Sequence, residues 1–136
     1  MQNLSVLVVD DEVDTRESMA ALLRSEFPGC RVVTAEDGHS AMAALDRTHF
    51  ELVISDYRLP GPDGLEIAQY ASRTKRARCV LVTGYADPAI GTAAISDGIL
   101  FGILHKTASS AEIISFLRKA VRGGAGQGRL PQSEAP

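Results

Sequence analysis

The chain has 136 residues, of which 45% are hydrophobic and 23% are charged, as is ordinary for one soluble globular domain. Its formal net charge of −3 provides no basic field, so we expect no direct binding to nucleic acid. No apolar run approaches the roughly 18 residues of a membrane span. The two cysteines, Cys30 and Cys79, form no C-x-x-C pair and suit a reducing compartment. These properties predict a cytoplasmic protein without a membrane partner.

Short apolar runs alternate with segments of helical spacing along the whole chain. The runs, taken as strands β1 to β5, cover residues 4–9, 31–35, 52–55, 80–83 and 100–105. The segments between and after them, taken as helices α1 to α5, cover residues 14–27, 38–48, 63–73, 87–97 and 110–122. Runs of Val, Ile and Leu without strict alternation fit strands that are covered on both faces. The alternation predicts an α/β fold, a doubly wound parallel sheet between two helical layers.

Capping and helix-breaking residues indicate where the helices begin and end. Asp14 with Glu17, and Ser109 with Glu112, have the spacing of capping boxes at the starts of α1 and α5. Residues 28–29, Pro-Gly, are expected to stop α1. Residues 123–136 are rich in glycine and proline and have little to bury, so we predict a disordered tail or the start of a linker after a domain at residues 1–122.

Charged and hydroxyl side chains stand where four of the predicted strands end. Asp10 and Asp11 follow β1, Asp56 follows β3, Thr83 ends β4 and Lys106 follows β5. Ligands of open parallel sheets bind at this edge. Carboxylates about 4 Å apart repel by roughly 1–4 kcal/mol per pair in a partly wet site, and a divalent cation, Mg²⁺ in particular, would offset that repulsion. An Asp carboxylate could then act as a nucleophile toward phosphorus, with the hydroxyl and the ammonium beside it.

Taken together, these residues resemble the receiver domain of two-component response regulators over about residues 4–122. The resemblance rests on the acid pair, on Asp56 with Pro60 and Gly64, on Thr83-Gly84 and on Lys106. It implies a flavodoxin-like sheet of strand order 2-1-3-4-5. It also implies a phosphorylation-controlled switch that takes its phosphoryl group from a histidine kinase or a phosphotransfer protein, without turnover of an independent substrate.

The same resemblance assigns a role to each residue of the site. Asp56 is expected to accept the phosphoryl group, and Thr83 and Lys106 to hold its oxygens. Asp11, Asp56 and the backbone carbonyl of Arg58 would bind Mg²⁺, with Asp10 acting through a bound water. Phosphorylation would remodel the α4–β5–α5 face, which a downstream effector or output domain reads and which could also form a homodimer.

Four positions modulate this expectation. The family usually has an aromatic residue where Ile103 stands and a proline where Thr107 stands, so the relay of the signal is expected to differ here. Phe101 and Tyr85 are candidates for the missing ring. Arg58 and Tyr85 occupy positions that flank the path of the hydrolytic water in this family. Their bulk predicts slow self-dephosphorylation, which Arg58→Ala or Tyr85→Ala would shorten in a measurement of phosphoryl lifetime.

Two other classes of function compete with the switch. A pseudo-receiver, which binds partners without phosphorylation, is compatible with Ile103 and Thr107 but has no physical need for the carboxylate cluster. A haloacid dehalogenase-like hydrolase also uses an Asp at a strand end together with Mg²⁺. Its D-x-D motif on the first strand is not matched by the segment at residues 10–13.

Overall fold

A computed structural model of the chain describes residues 4–75, 77–84 and 88–122. It contains a parallel sheet of five strands in the order β2-β1-β3-β4-β5, which confirms the predicted fold class and strand order. The strands are β1 Ser5–Val9, β2 Arg31–Ala35, β3 Leu52–Asp56, β4 Arg78–Thr83 and β5 Gly102–His105. The helices are α1 Val13–Glu26, α2 Gly38–Arg47, α3 Gly64–Tyr70, α4 Pro88–Ser96 and α5 Ser110–Arg122.

Apolar side chains project from both faces of the central strands and form two core layers. One layer joins residues such as Leu7, Val53 and Leu81 to α2, α3 and α4, and the other joins Val8 and Ile54 to α1 and α5. Residues on neighbouring positions of a strand point to opposite faces, so an unbroken apolar run fills both layers. This burial on both sides holds β1, β3 and β4 rigidly in the middle of the sheet.

The start of α1 differs from the sequence prediction. The helix begins at Val13 with Glu12 as its N-cap residue, and no side chain caps it, so the predicted capping box of Asp14 and Glu17 is wrong. Instead, the backbone N–H of Glu12 donates to the Asp10 carboxylate over 2.9 Å. The chain enters the helix immediately after the acid pair, which leaves Asp14 inside the first turn.

Other predicted helix ends are confirmed, and one is modified. Ser109 and Glu112 form the reciprocal capping box of α5, with donor–acceptor distances of 2.8 and 3.1 Å. The predicted helix at 63–73 is α3 followed by a π-helical turn over Ala71–Lys75. Within the described residues no helix is long and apolar enough to cross a membrane. The predicted tail at 123–136 and Tyr85 lie outside the described residues.

Candidate functional site

The strand register brings the predicted site residues to one edge of the sheet. Val9 of β1 pairs with Ser55 of β3, so Asp10, just after β1, and Asp56, the last residue of β3, lie at the same level. Asp56 in turn pairs with Val82, the residue before Thr83. Thr83 pairs with His105, and the backbone N–H of Lys106 donates to the Thr83 carbonyl over 3.0 Å. Four strands therefore converge on one small region.

Three carboxylates form a cluster at this edge. Asp10, Asp11 and Asp56 can each offer one oxygen, and these atoms lie within 4.8 Å of one another. Asp10 is buried, with 5% of its surface exposed, the side chain of Asp56 is 11% exposed, and Asp11 faces solvent. Such a set of hard oxygen donors, open on the solvent side, has the chemistry that a Mg²⁺ ion requires.

Lys106 provides the positive charge of the cluster. Its Nζ atom lies 3.1 Å from Asp56 Oδ2, 3.7 Å from Asp10 Oδ2 and 3.9 Å from Glu12 Oε1. Partial burial acts to lower the pKa of Lys106, but the hydrogen bond to Asp56 and the neighbouring carboxylates outweigh it and raise the pKa above 10.5. The ammonium therefore stays charged at neutral pH, and its ion pairs are lost only as the pH rises through this elevated value.

For Asp10, burial acts to raise the pKa, whereas for Lys106 it acts to lower it. The pKa of Asp10 is raised above 3.8, mainly by desolvation and further by the charges of Asp56 and Asp11, against the lowering effects of the Glu12 N–H and Lys106. The folded protein thus holds this proton more tightly than the unfolded chain does, so stability falls as the pH rises through the folded pKa. At neutral pH, the ionised Asp10 is destabilising unless a cation binds.

Two residues near Asp10 were not predicted to contribute to the site. Arg16, on the first turn of α1, donates from its Nη1 atom to the backbone carbonyl of Asp10 over 2.8 Å. Glu12 donates its backbone N–H to the Asp10 carboxylate, and its own carboxylate lies beside the Lys106 ammonium. An Arg six residues after a strand-end Asp is too common a pattern to reveal this contact in the sequence.

The loop after β3 fixes the backbone of Asp56. The Ser55 hydroxyl donates to the Asp56 carbonyl over 2.8 Å, and the Gly64 N–H donates to the Tyr57 carbonyl over 2.8 Å. A Cβ atom at Gly64 would lie 2.3 Å from the Asp56 carbonyl oxygen, so the loop closes this tightly only with glycine. Arg58 is exposed in the same loop, and its carbonyl as a metal ligand stays a prediction.

The residues predicted to relay the signal lie around β5. Ile103 is half-buried and packs against the core layer of α2, α3 and α4. Phe101 packs in the other layer, where its ring lies 5.4 Å from that of Phe116 and beneath the Arg78 guanidinium. A ring at Phe101 therefore cannot occupy the place of a side chain at Ile103. Thr107 is exposed, immediately after Lys106.

Replacing Asp10 with asparagine should stabilise the metal-free protein. The change removes a buried charge, whereas the amide oxygen can still accept the Glu12 N–H. We expect a gain of about 1 kcal/mol, the scale of one relieved carboxylate repulsion, in thermal or urea unfolding with a chelator present. Added Mg²⁺ should stabilise the wild type more than Asp10→Asn. Equal unfolding free energies without metal would contradict this account of the cluster.

Comparison with known proteins places the chain in a family. A sequence model of the response regulator receiver domain matches residues 6–118. The cyclic di-GMP phosphodiesterase RocR of Pseudomonas aeruginosa is 33% identical over 97 residues, which cover 71% of this chain and 24% of RocR. The sensory transduction protein RegX3 of Mycolicibacterium smegmatis is 30% identical over 124 residues, 89% of this chain and 52% of RegX3.

A solved structure supports the same assignment. The signal receiver domain of the response regulator NarL from Mycobacterium tuberculosis superposes with a TM-score of 0.79 at 29% identity, covering 90% of this chain and 99% of that domain. The chain therefore belongs to the response regulator receiver family and is a receiver domain of two-component signalling. It spans about a quarter of RocR and about half of RegX3.

Proposed function

We propose that Asp56 is the phosphoacceptor of this receiver domain and that a histidine kinase or a phosphotransfer protein is the donor. The observation that carries the proposal is the contact of Lys106 Nζ with Asp56 Oδ2, 3.1 Å, inside a cluster of three carboxylates. Of the three carboxylates, Asp56 is the one that belongs to a strand, as the last residue of the central strand β3. Its position next to both the acids and the ammonium suits a nucleophile toward a polyanionic group.

In the proposed reaction, an Asp56 carboxylate oxygen attacks phosphorus. A P–O bond to Asp56 forms as the P–N bond to the donor imidazole breaks, and the imidazole leaves with the electron pair of that bond and takes up a proton. The Lys106 ammonium stabilises negative charge on the transferring oxygens, and the Thr83 hydroxyl at the end of β4 donates to one of them. Both groups act from fixed strand ends, so little reorganisation is required during transfer.

The carboxylates fit a bound Mg²⁺ ion. Asp10, Asp11 and Asp56 would hold it, with the Arg58 carbonyl as a further oxygen ligand. When bound, the ion would neutralise the carboxylates and the phosphoryl oxygens during transfer. The clustering of three carboxylate oxygens within 4.8 Å supports this assignment, and the pKa of Asp10, raised mainly by burial, shows that its ionised form gains from a bound cation. We place the domain in the cytoplasm, where the free thiols of Cys30 and Cys79 would stay reduced.

We propose the α4–β5–α5 face as the surface that passes the signal on to an output domain or effector. An open groove of about 660 Å³ runs along β5 and α5, lined by residues that include Ile103, Phe116 and Lys119. Glu112 and Lys119 are exposed two turns apart on α5, so this face has an acidic and a basic end. A second copy bound there would appear in sedimentation as a dimer that forms on phosphorylation.

Incubation with acetyl phosphate and Mg²⁺, followed by intact mass, tests the proposed function. We expect the mass of one added phosphoryl group in the wild type and none in Asp56→Asn or in the presence of a chelator. No addition to the wild type would support a binding module that works without phosphorylation. Continuous release of phosphate without an accumulated adduct would support a hydrolase.

A further inference from the structure

Lys106 lies at the centre of a turn that is closed by side chains on either side of it. The backbone N–H of Ala108 donates to the His105 carbonyl over 3.0 Å, which makes Lys106 and Thr107 the two central residues of the turn. Across the turn, the Thr107 hydroxyl lies 2.9 Å from His105 Nδ1, and the Thr107 N–H donates to the same nitrogen over 3.4 Å. We call this pair, His105 and Thr107, the clamp.

The backbone of Lys106 requires such a restraint. Its ammonium lies 3.1 Å from Asp56 Oδ2 at the end of a long side chain with several rotatable bonds, so a fixed Cα limits the positions that Nζ samples. The N–H of Lys106 is anchored to the Thr83 carbonyl at 3.0 Å. Beyond that point no proline ring fixes the turn, because residue 107 is threonine, and no cis peptide occurs among the described residues.

We infer that the clamp positions Lys106 for phosphoryl transfer, so that His105 and Thr107 are positioning residues of this domain. The inference rests on the proposed role of Lys106 at Asp56. Since Nδ1 accepts the Thr107 N–H, the ring proton of the neutral imidazole lies on Nε2. The hydroxyl then donates to Nδ1 as well, and both bonds tie residue 107 back to the end of β5. The clamp is exposed, so its contribution is modest.

Matched substitutions separate the clamp from side-chain bulk. Thr107→Val removes the hydroxyl and keeps the branched shape, whereas Thr107→Ser keeps the hydroxyl. His105→Gln places its amide near the Nε2 position, whereas His105→Asn places an acceptor oxygen near Nδ1. We expect Thr107→Val and His105→Gln to slow phosphorylation by acetyl phosphate about fivefold, the effect of one modest hydrogen bond, and Thr107→Ser and His105→Asn to stay within about twofold of wild type.

A second readout does not depend on phosphorylation. Hydrogen exchange of the Lys106 amide, which is bonded to Thr83, should accelerate in Thr107→Val and His105→Gln and recover in Thr107→Ser. The double variant of Thr107→Val and His105→Gln should be no worse than His105→Gln alone, because His105→Gln already removes the acceptor of both Thr107 bonds. Mg²⁺ affinity should stay unchanged, since neither residue lies in the carboxylate cluster.

The two readouts distinguish the clamp from the proposed function. Equal exchange rates in Thr107→Val and Thr107→Ser, or multiplicative effects in the double variant, would overturn the clamp. If the exchange rates of the variants follow the expected order but the wild type takes up no phosphoryl group, the clamp is supported as a restraint on the turn and the role of Asp56 is refuted. Exchange and phosphorylation rates that both follow the pattern support the whole inference.

Discussion

Replacing Gly64 with alanine is expected to destabilise the domain by about 3 kcal/mol, the upper range for overpacking a well-filled site. The added Cβ would lie 2.3 Å from the Asp56 carbonyl oxygen and 2.7 Å from Leu81 Cδ2. The first of these neighbours is backbone of a central strand, so it cannot rotate away. Alanine is a better helix former than glycine by about 1 kcal/mol, and the steric conflict must exceed that gain. Urea unfolding measures the difference.

Gly84→Ala is the matched control for this change in stability. Gly84 lies at the same edge of the sheet, but a Cβ there meets no atom within 4 Å, and we expect less than about 1 kcal/mol of change. Equal destabilisation by the two variants would show that the close approach of Gly64 to Asp56 is not what the loop requires. The close approach also predicts that Gly64→Ala, even where it folds, is phosphorylated more slowly, because the Asp56 carbonyl must move.

Replacing Lys106 with methionine is expected to slow phosphorylation of Asp56 by about 100-fold, the typical cost of removing one group that stabilises transition-state charge. Methionine keeps the apolar part of the side chain and removes the ammonium that lies 3.1 Å from Asp56 Oδ2. Initial rates with acetyl phosphate at saturating Mg²⁺ provide the measurement. In the metal-free protein the same change should lower the unfolding temperature, since the carboxylates lose their cation.

Mg²⁺ binding distinguishes this effect from general damage to the site. Lys106 and a divalent ion both neutralise the same carboxylates, so Lys106→Met should bind Mg²⁺ at least as tightly as the wild type while reacting slowly. Lys106→Arg keeps the charge and should retain metal-free stability, although its planar group will not reproduce the geometry of the ammonium. A Lys106→Met variant that phosphorylates at the wild-type rate would remove Lys106 from the proposed mechanism.

The sequence predicts the site well because parallel strands carry its residues. Once Asp10, Asp56, Thr83 and Lys106 are each placed after a buried apolar run, the sheet itself brings them together, and the register of β1, β3, β4 and β5 agrees. The fold class and strand order follow in the same way from the alternating pattern and the family resemblance. Burial on both faces of a central strand is a strong signal, since it produces long unbroken apolar runs.

Local hydrogen bonding was harder to predict. Asp14 with Glu17 has the spacing of a capping box, yet α1 begins one residue before Asp14, and Asp10 accepts the N–H of the N-cap residue Glu12. The contacts of Arg16 with the Asp10 carbonyl and of Thr107 with His105 depend on rotamers, which the sequence does not encode by spacing. These short-range contacts set the geometry of the carboxylates and of Lys106.

The location of the phosphoryl group tests the central claim most directly. Brief reaction with acetyl phosphate and Mg²⁺, reduction of the acyl phosphate with borohydride and peptide sequencing by mass spectrometry identify the modified carboxylate as homoserine. We predict homoserine at position 56 and unmodified aspartate at positions 10 and 11. Homoserine at Asp10 or Asp11, or its absence from position 56 in protein that carries a phosphoryl group, would contradict the assignment of Asp56 as the acceptor.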